Sequence, residues 1–153
     1  AVRPFHPERL HEAIDVLLDG VVTTRGRVWV ATQPDEALWI ESAGGGLRVA
    51  SAGKWLAAMA PEEQDGVDTA RRAMAALRWD DEFGDRDTSL VILVHAADPS
   101  EIDRTLQWAL VSDDEMRDRD AWANWTDPFG QWHEDPCETT ESPYSDVKRE
   151  ATE

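Results

Sequence analysis

Between Val21 and Ala50 the chain alternates apolar and polar residues in three successive runs, and the breaks between those runs are too short to carry a crossover. In the first run Val28 and Val30 oppose Arg27 and Trp29. In the second Leu38 and Ile40 oppose Trp39 and Glu41, and in the third Leu47 and Val49 oppose Arg48 and Ala50. A period of two puts one face of each run against a core and the other toward solvent. The connections Gln33-Pro34-Asp35 and Ala43-Gly44-Gly45-Gly46 have turn-forming compositions. Parallel strands need a dozen or more residues between them, so these runs must pair antiparallel.

Helical periodicity brackets this meander. Leu10, Ala13, Ile14 and Leu17 recur at i, i+3, i+4 and i+7 behind Pro7, and Gly20 follows as a stop. A second helix is expected over 61–77, with Val67, Ala70, Met74 and Leu77 along one face. The unbroken apolar run Leu90 to Val94 reads as a central strand covered on both faces. Asp98-Pro99-Ser100-Glu101 is a helix start, and Ile102, Leu106, Ala109 and Leu110 supply its buried stripe. Ser112-Asp113-Asp114-Glu115 repeats the cap pattern and starts a short helix. Val2 to Phe5 is read as a further, first strand. The fold class that satisfies this order is α+β, a mainly antiparallel sheet of four to five strands with helices packed on one face. Residues 1–132 form the domain, and 133–153 form an acidic tail without apolar periodicity, expected to be flexible.

The 153 residues hold 32 Asp plus Glu against 15 Lys plus Arg, a formal net charge of -17. That balance argues against direct nucleic-acid binding, which needs cations to displace counterions from phosphates. Basic protein surfaces or cations fit better as partners. The longest apolar runs fall far short of the ~20 residues a bilayer crossing needs, so no membrane partner is expected. No secretory signal is visible, and one cysteine, Cys137, cannot make an intrachain disulfide; both point to the cytoplasm. The chain starts at Ala1, which reads as a piece of a longer protein.

No catalytic constellation stands out: the sequence contains no phosphate-binding loop, dinucleotide fingerprint, zinc-protease motif or serine-hydrolase elbow. His6, at the entrance of the first helix, is placed to satisfy exposed backbone groups there, and His11 falls on a solvated face. His133-Glu134-Asp135-Pro136-Cys137 alone combines imidazole, carboxylates and a thiol. His133 and Cys137 are therefore the candidate metal ligands, set against an ordinary solvated tail. Eight tryptophans are many for this length. Trp29, Trp39 and Trp55 lie on or beside strands, on the sheet face opposite the first helix, where they either plug a modest core or form a partner-binding face.

Specific residues then converge on one family. Arg3-Pro4-Phe5-His6-Pro7-Glu8-Arg9-Leu10 closely resembles the "RRPFHPERL" segment of the C-terminal domain of CobW-type metallochaperone GTPases. Thr24-Arg25-Gly26-Arg27-Val28-Trp29-Val30-Ala31-Thr32 is similar to that family's "SKGFFWLATR". Gly53-Lys54-Trp55, Gly84-Asp85-Arg86, the run from Leu90 to Val94, Leu110 to Met116 and Asp127 to Trp132 follow in family order.

The resemblance implies a domain that follows a GTPase half, with GTP and zinc belonging to that half and neither cofactor to this stretch, which is then no enzyme by itself. It implies client recognition or regulation within a GTP-dependent metallochaperone for zinc or another divalent metal. The alternative is a structural cap or self-association module with no client of its own. The partners implied are the upstream GTPase domain, a metal-dependent client that some relatives link to the ribosome, and a second copy of the chain. Arg3, Phe5, His6, Arg9, Trp29, Trp39, Trp55, Asp85 and Arg86 are the candidate partner or interdomain contacts, with Arg86 either holding its own loop or reaching the other half.

Overall fold

A computed structural model of the chain describes residues 2–43 and 46–130. Helix α1 runs over Pro7–Leu18, and Pro7 suits its first turn because a helix leaves that amide without a partner anyway. Leu10, Ala13, Ile14 and Leu17 make its buried stripe, as the periodicity requires. After Leu18 the chain turns through Gly20 at φ +67°, where a Cβ would sit 2.8 Å from the amide nitrogen of Ala97. The carbonyl of Gly20 accepts from the amides of His95, Ala96 and Ala97, which ties the helix stop to the far end of the sheet.

Strands β1 (Val21–Val28), β2 (Glu36–Ala43), β3 (Gly46–Lys54) and β4 (Ser89–Val94) form one antiparallel sheet in the order β3-β2-β1-β4. The expected meander of the first three is therefore present. Helices α1 and α4 (Pro99–Ala109) cover one face, where Leu10 and Ile14 join Val28, Leu38, Ile40 and Val49 in the principal core. Asp98 caps α4 by accepting from the Ser100 amide, and Ser112 and Glu115 form the capping box of α5 (Asp113–Arg117), both as the sequence indicates. A second, smaller core gathers Trp29, Ala31, Ala37, Trp55, Val111 and Trp122.

Three expectations fail for identifiable reasons. Val2 to Phe5 is not a strand: only Phe5 makes ladder-type contacts, one parallel bridge to Val30 and one antiparallel bridge to Leu110. Pro4 and Pro7 flank it and have no amide to extend a ladder. Leu90 to Val94 is not central and not covered on both faces. It lies at the sheet edge, with Val91 68% and Leu93 55% exposed, because no helix among the described residues overlies that part of the second face. The single helix over 61–77 is two, α2 (Pro61–Asp65) and α3 (Thr69–Ala76). Gly66 interrupts the run, and Asp68 restarts it by accepting from the amide of Arg71. Neither helix has a buried residue, so the apolar positions Met74 and Leu77 face solvent instead of a core.

Candidate functional site

The segment from Arg3 to Leu10 is a strap woven into its own domain. The Phe5 amide donates to the Trp29 carbonyl at 2.8 Å, and the Ala31 amide donates to the Phe5 carbonyl at 3.0 Å. On the other side the His6 amide donates to Ala109 and the Val111 amide donates to Pro4. Phe5 itself is 2% exposed and belongs to the principal core. Two arginines fasten the strap to the start of α5. Arg3 Nη1 donates to the Val111 carbonyl and Nη2 pairs with Asp113 at 2.6 Å, while Arg9 Nη2 reaches both the Leu110 carbonyl and Glu115 Oε2.

Glu115 is the electrostatic centre of this knot. Burial works against its charge, but it is outweighed by the hydrogen bond from Arg9 and those from the amide and hydroxyl of Ser112, which together bring its pKa down from 4.5 to about 2. A carboxyl with a lowered folded-state value stabilises the fold fully above its unfolded value and loses that contribution as pH falls. The stabilisation, on the order of 2 kcal/mol, should therefore disappear between about pH 4.5 and pH 2. Urea midpoints followed down through that window are expected to drop more steeply for the native chain than for Glu115→Gln. Parallel curves would show that the knot carries no such linkage.

His6 does not cap the helix, contrary to the sequence reading: its side chain makes no capping hydrogen bond. Its ring stacks on Trp125 with centroids 4.4 Å apart, and burial followed by the nearby Arg9 charge lowers its pKa. The neutral imidazole is the form that suits a stacked, half-buried ring.

Asp85 and Arg86 also turn inward. Asp85 is buried and accepts from the amides of Leu56 and Ala57, so it closes the 3-10 turn Leu56–Ala58. Gly84 must precede it at φ +68°, because a Cβ there would stand 2.3 Å from that of Ala57. Arg86 donates to the carbonyls of Pro34 and Phe83, and its nearest carboxylate, Asp35, is 4.0 Å away. Arg86 thus holds its loop, through carbonyls and not through the acids beside it in sequence.

The three strand tryptophans separate. Trp29 and Trp55 are each 2% exposed in the smaller core, and Trp39 is 38% exposed on the sheet face opposite α1. Residues paired across an antiparallel ladder share a face. Arg25 therefore shares the outer face with its partners Glu41 and Val91, Arg27 with Trp39, Thr23 with Leu93, and Glu41 with Arg48. The result is an open surface on which Val91 and Leu93 line the β4 edge, Arg25 separates them from Glu41, and Trp39 stands beyond. Of the nine contact candidates this surface contains only Trp39. Val91 and Leu93 were missed because an unbroken apolar run looks the same whether its second face is covered or bare.

His133 and Cys137 lie outside the described residues. Among the described residues no group of three or more His, Cys, Asp or Glu side chains is arranged to hold a metal ion, and no helix is long and apolar enough to cross a membrane.

A family model described as the cobalamin synthesis protein cobW C-terminal domain matches residues 1–110. The zinc chaperone Rv0106 of Mycobacterium tuberculosis is 61% identical over 137 residues, which cover 90% of this chain and 34% of that protein. An uncharacterized Mycobacterium bovis protein, Mb0109, matches with the same identity and coverage. The zinc-regulated GTPase metalloprotein activator 1 of Dictyostelium discoideum is 31% identical over 134 residues, covering 84% of this chain and 28% of the relative. The chain therefore spans about a third of the length of the curated relatives it matches. No solved structure matches.

Proposed function

Because this chain belongs to the cobalamin synthesis protein cobW C-terminal domain family, we propose that it is the client-recognition or regulatory part of a GTP-dependent metallochaperone that handles zinc or another divalent metal in the cytoplasm. One relative is named a zinc chaperone and another a zinc-regulated GTPase metalloprotein activator, and those names support the zinc and nucleotide parts of the reading. In this reading GTP and zinc belong to a GTPase portion outside this sequence, and this domain meets that portion and a protein client.

The observation that carries the proposal is the bare outer sheet face. With α1 and α4 on the opposite face, Trp39, Val91 and Leu93 are left exposed, and aromatic and apolar side chains concentrated on an ordered strand surface are what protein partners bury. A second reading, self-association, draws on the same face and on β4, whose outer edge pairs with no strand among the described residues.

The test is the triple variant Trp39→Ser, Val91→Thr, Leu93→Thr, made in the full-length parent protein. These residues suit strands and leave the core untouched. GTP hydrolysis is expected to persist while rescue of zinc-starved cells lacking the parent gene falls about tenfold or more, since interface hot spots cost about 2 kcal/mol each. Full rescue would remove the face from client recognition. A collapse of GTP hydrolysis would place the face against the GTPase portion, and a loss of dimer on sedimentation would assign it to self-association.

A further inference from the structure

Below α3, at the end of the outer sheet face, the chain encloses a pocket of about 420 Å³ whose wall holds four cations, Arg27, Lys54, Arg71 and Arg78. In a chain of net charge -17 such a concentration is unusual, and its internal pairing is incomplete. Asp87 accepts from both Arg27 at 2.8 Å and Arg78 at 2.9 Å, so one carboxylate serves two guanidinium groups. Lys54 pairs with Glu63 at 2.8 Å. Asp85, the acid in the wall, spends both oxygens on the amides of Leu56 and Ala57. Arg71 has no carboxylate partner among the described residues and donates only to the Lys54 carbonyl.

Arg71 is thus the cation of the wall without a carboxylate partner among the described residues, while Lys54 also feels the charges of Asp35 and Glu36. Two wall residues add buried donors with no partner among the described residues, Nε1 of Trp55 and Nε of Arg27, whose guanidinium lies 5.3 Å from the Trp55 ring centroid. A buried N–H without an acceptor costs about 1–3 kcal/mol. The rest of the wall is apolar, with Met74, Ala37 and Ala52 among it.

We infer that this pocket is a binding site for a carboxylate carried on a short apolar stem, the chemistry of a glutamate side chain offered by a partner protein. One unpaired guanidinium, that of Arg71, suits a monoanion and leaves a phosphate dianion undercompensated. Planar guanidinium groups match the in-plane lone pairs of a carboxylate. Arg27 of the pocket wall pairs in register with Trp39, so a segment lying on the outer face could place an acidic side chain in the pocket.

The test uses the whole chain with labelled indole nitrogens, the Trp55 resonance being assigned by its absence in Trp55→Phe. Butyrate reproduces the glutamate side chain, butyramide is its neutral isostere, and inorganic phosphate is the competing anion. Butyrate is expected to shift the Trp55 indole signal saturably at millimolar concentration, butyramide to leave it in place, and Arg71→Gln to weaken butyrate about tenfold, as loss of a charge-assisted hydrogen bond does. Arg104→Gln, at an exposed position of α4, should bind butyrate as the native chain does. The inference is overturned if butyrate gives no saturable shift below about 100 mM, a range that covers even the weakest specific binding. It is equally overturned if butyramide matches butyrate, if phosphate binds more tightly, or if Arg71→Gln changes nothing.

Discussion

Phe5→Ala is expected to lower the unfolding free energy by about 3–5 kcal/mol, the usual cost of emptying an aromatic site in a packed core. Phe5 is 2% exposed, and its backbone joins the end of β1 to the residues that follow α4. Truncation removes the side chain that holds these two connections in register, so more than a cavity is at stake. Because single domains are stable by only about 5–15 kcal/mol, the variant should sit near the limit of folding. Urea denaturation followed by tryptophan fluorescence measures the loss, and Phe5→Leu, which keeps most of the volume, should cost less than half as much. A loss below about 1 kcal/mol for the alanine variant would mean that the strap is not integral to the core.

Gly26→Ala should be nearly as damaging through a different cause. Gly26 lies in β1 at φ +153°, and a Cβ there would stand 2.1 Å from the carbonyl oxygen of Ser89 and 2.9 Å from the Cα of Leu90. Those neighbours are backbone atoms of β4, which cannot rotate aside as a flexible side chain can. Relief requires β4 to move away from β1, breaking the pairing of Gly26 with Leu90 and its neighbours. The expected cost is about 3 kcal/mol, combining overpacking with backbone strain. Amide hydrogen exchange should quicken in β4 first, while β2 and β3 keep their protection. Uniform quickening through the whole sheet would point to general destabilisation and not to a separated edge.

Much of this architecture is legible residue by residue. Leu10, Ala13, Ile14 and Leu17 declare α1 because a helix period of 3.6 admits no other arrangement of those four positions on one face. The strand alternations and the short turns between them compel an antiparallel meander, and Asp98 and Ser112 mark helix starts by side-chain chemistry that acts within three residues. Trp39 was visible as a surface candidate for the same local reason, since it alternates with Leu38 and Ile40. Arg3, Phe5, His6 and Arg9 stand together in the sequence as contact candidates, but the groups that Arg3 and Arg9 bind lie about a hundred residues away, at Val111 and Asp113 and at Leu110 and Glu115. No local pattern could say whether those side chains face inward.

What the sequence determines by itself is whatever short-range physics governs: element type, caps, the buried stripe of each helix, the handful of strand faces and, through the ordered motifs from Arg3 onward, family membership. Tertiary structure alone decides which strand ends at an edge and which face remains bare. Leu90 to Val94 has the composition of a central strand, yet it lies outside β1 with half its side chains in solvent. The carboxylate pocket is of the same kind, because Arg27, Lys54, Arg71 and Arg78 come from two strands, a helix and a loop and acquire a common charge only when the chain folds. Burial and charge pairing are properties of neighbours in space, and neighbours in space are set by the packing of the whole domain.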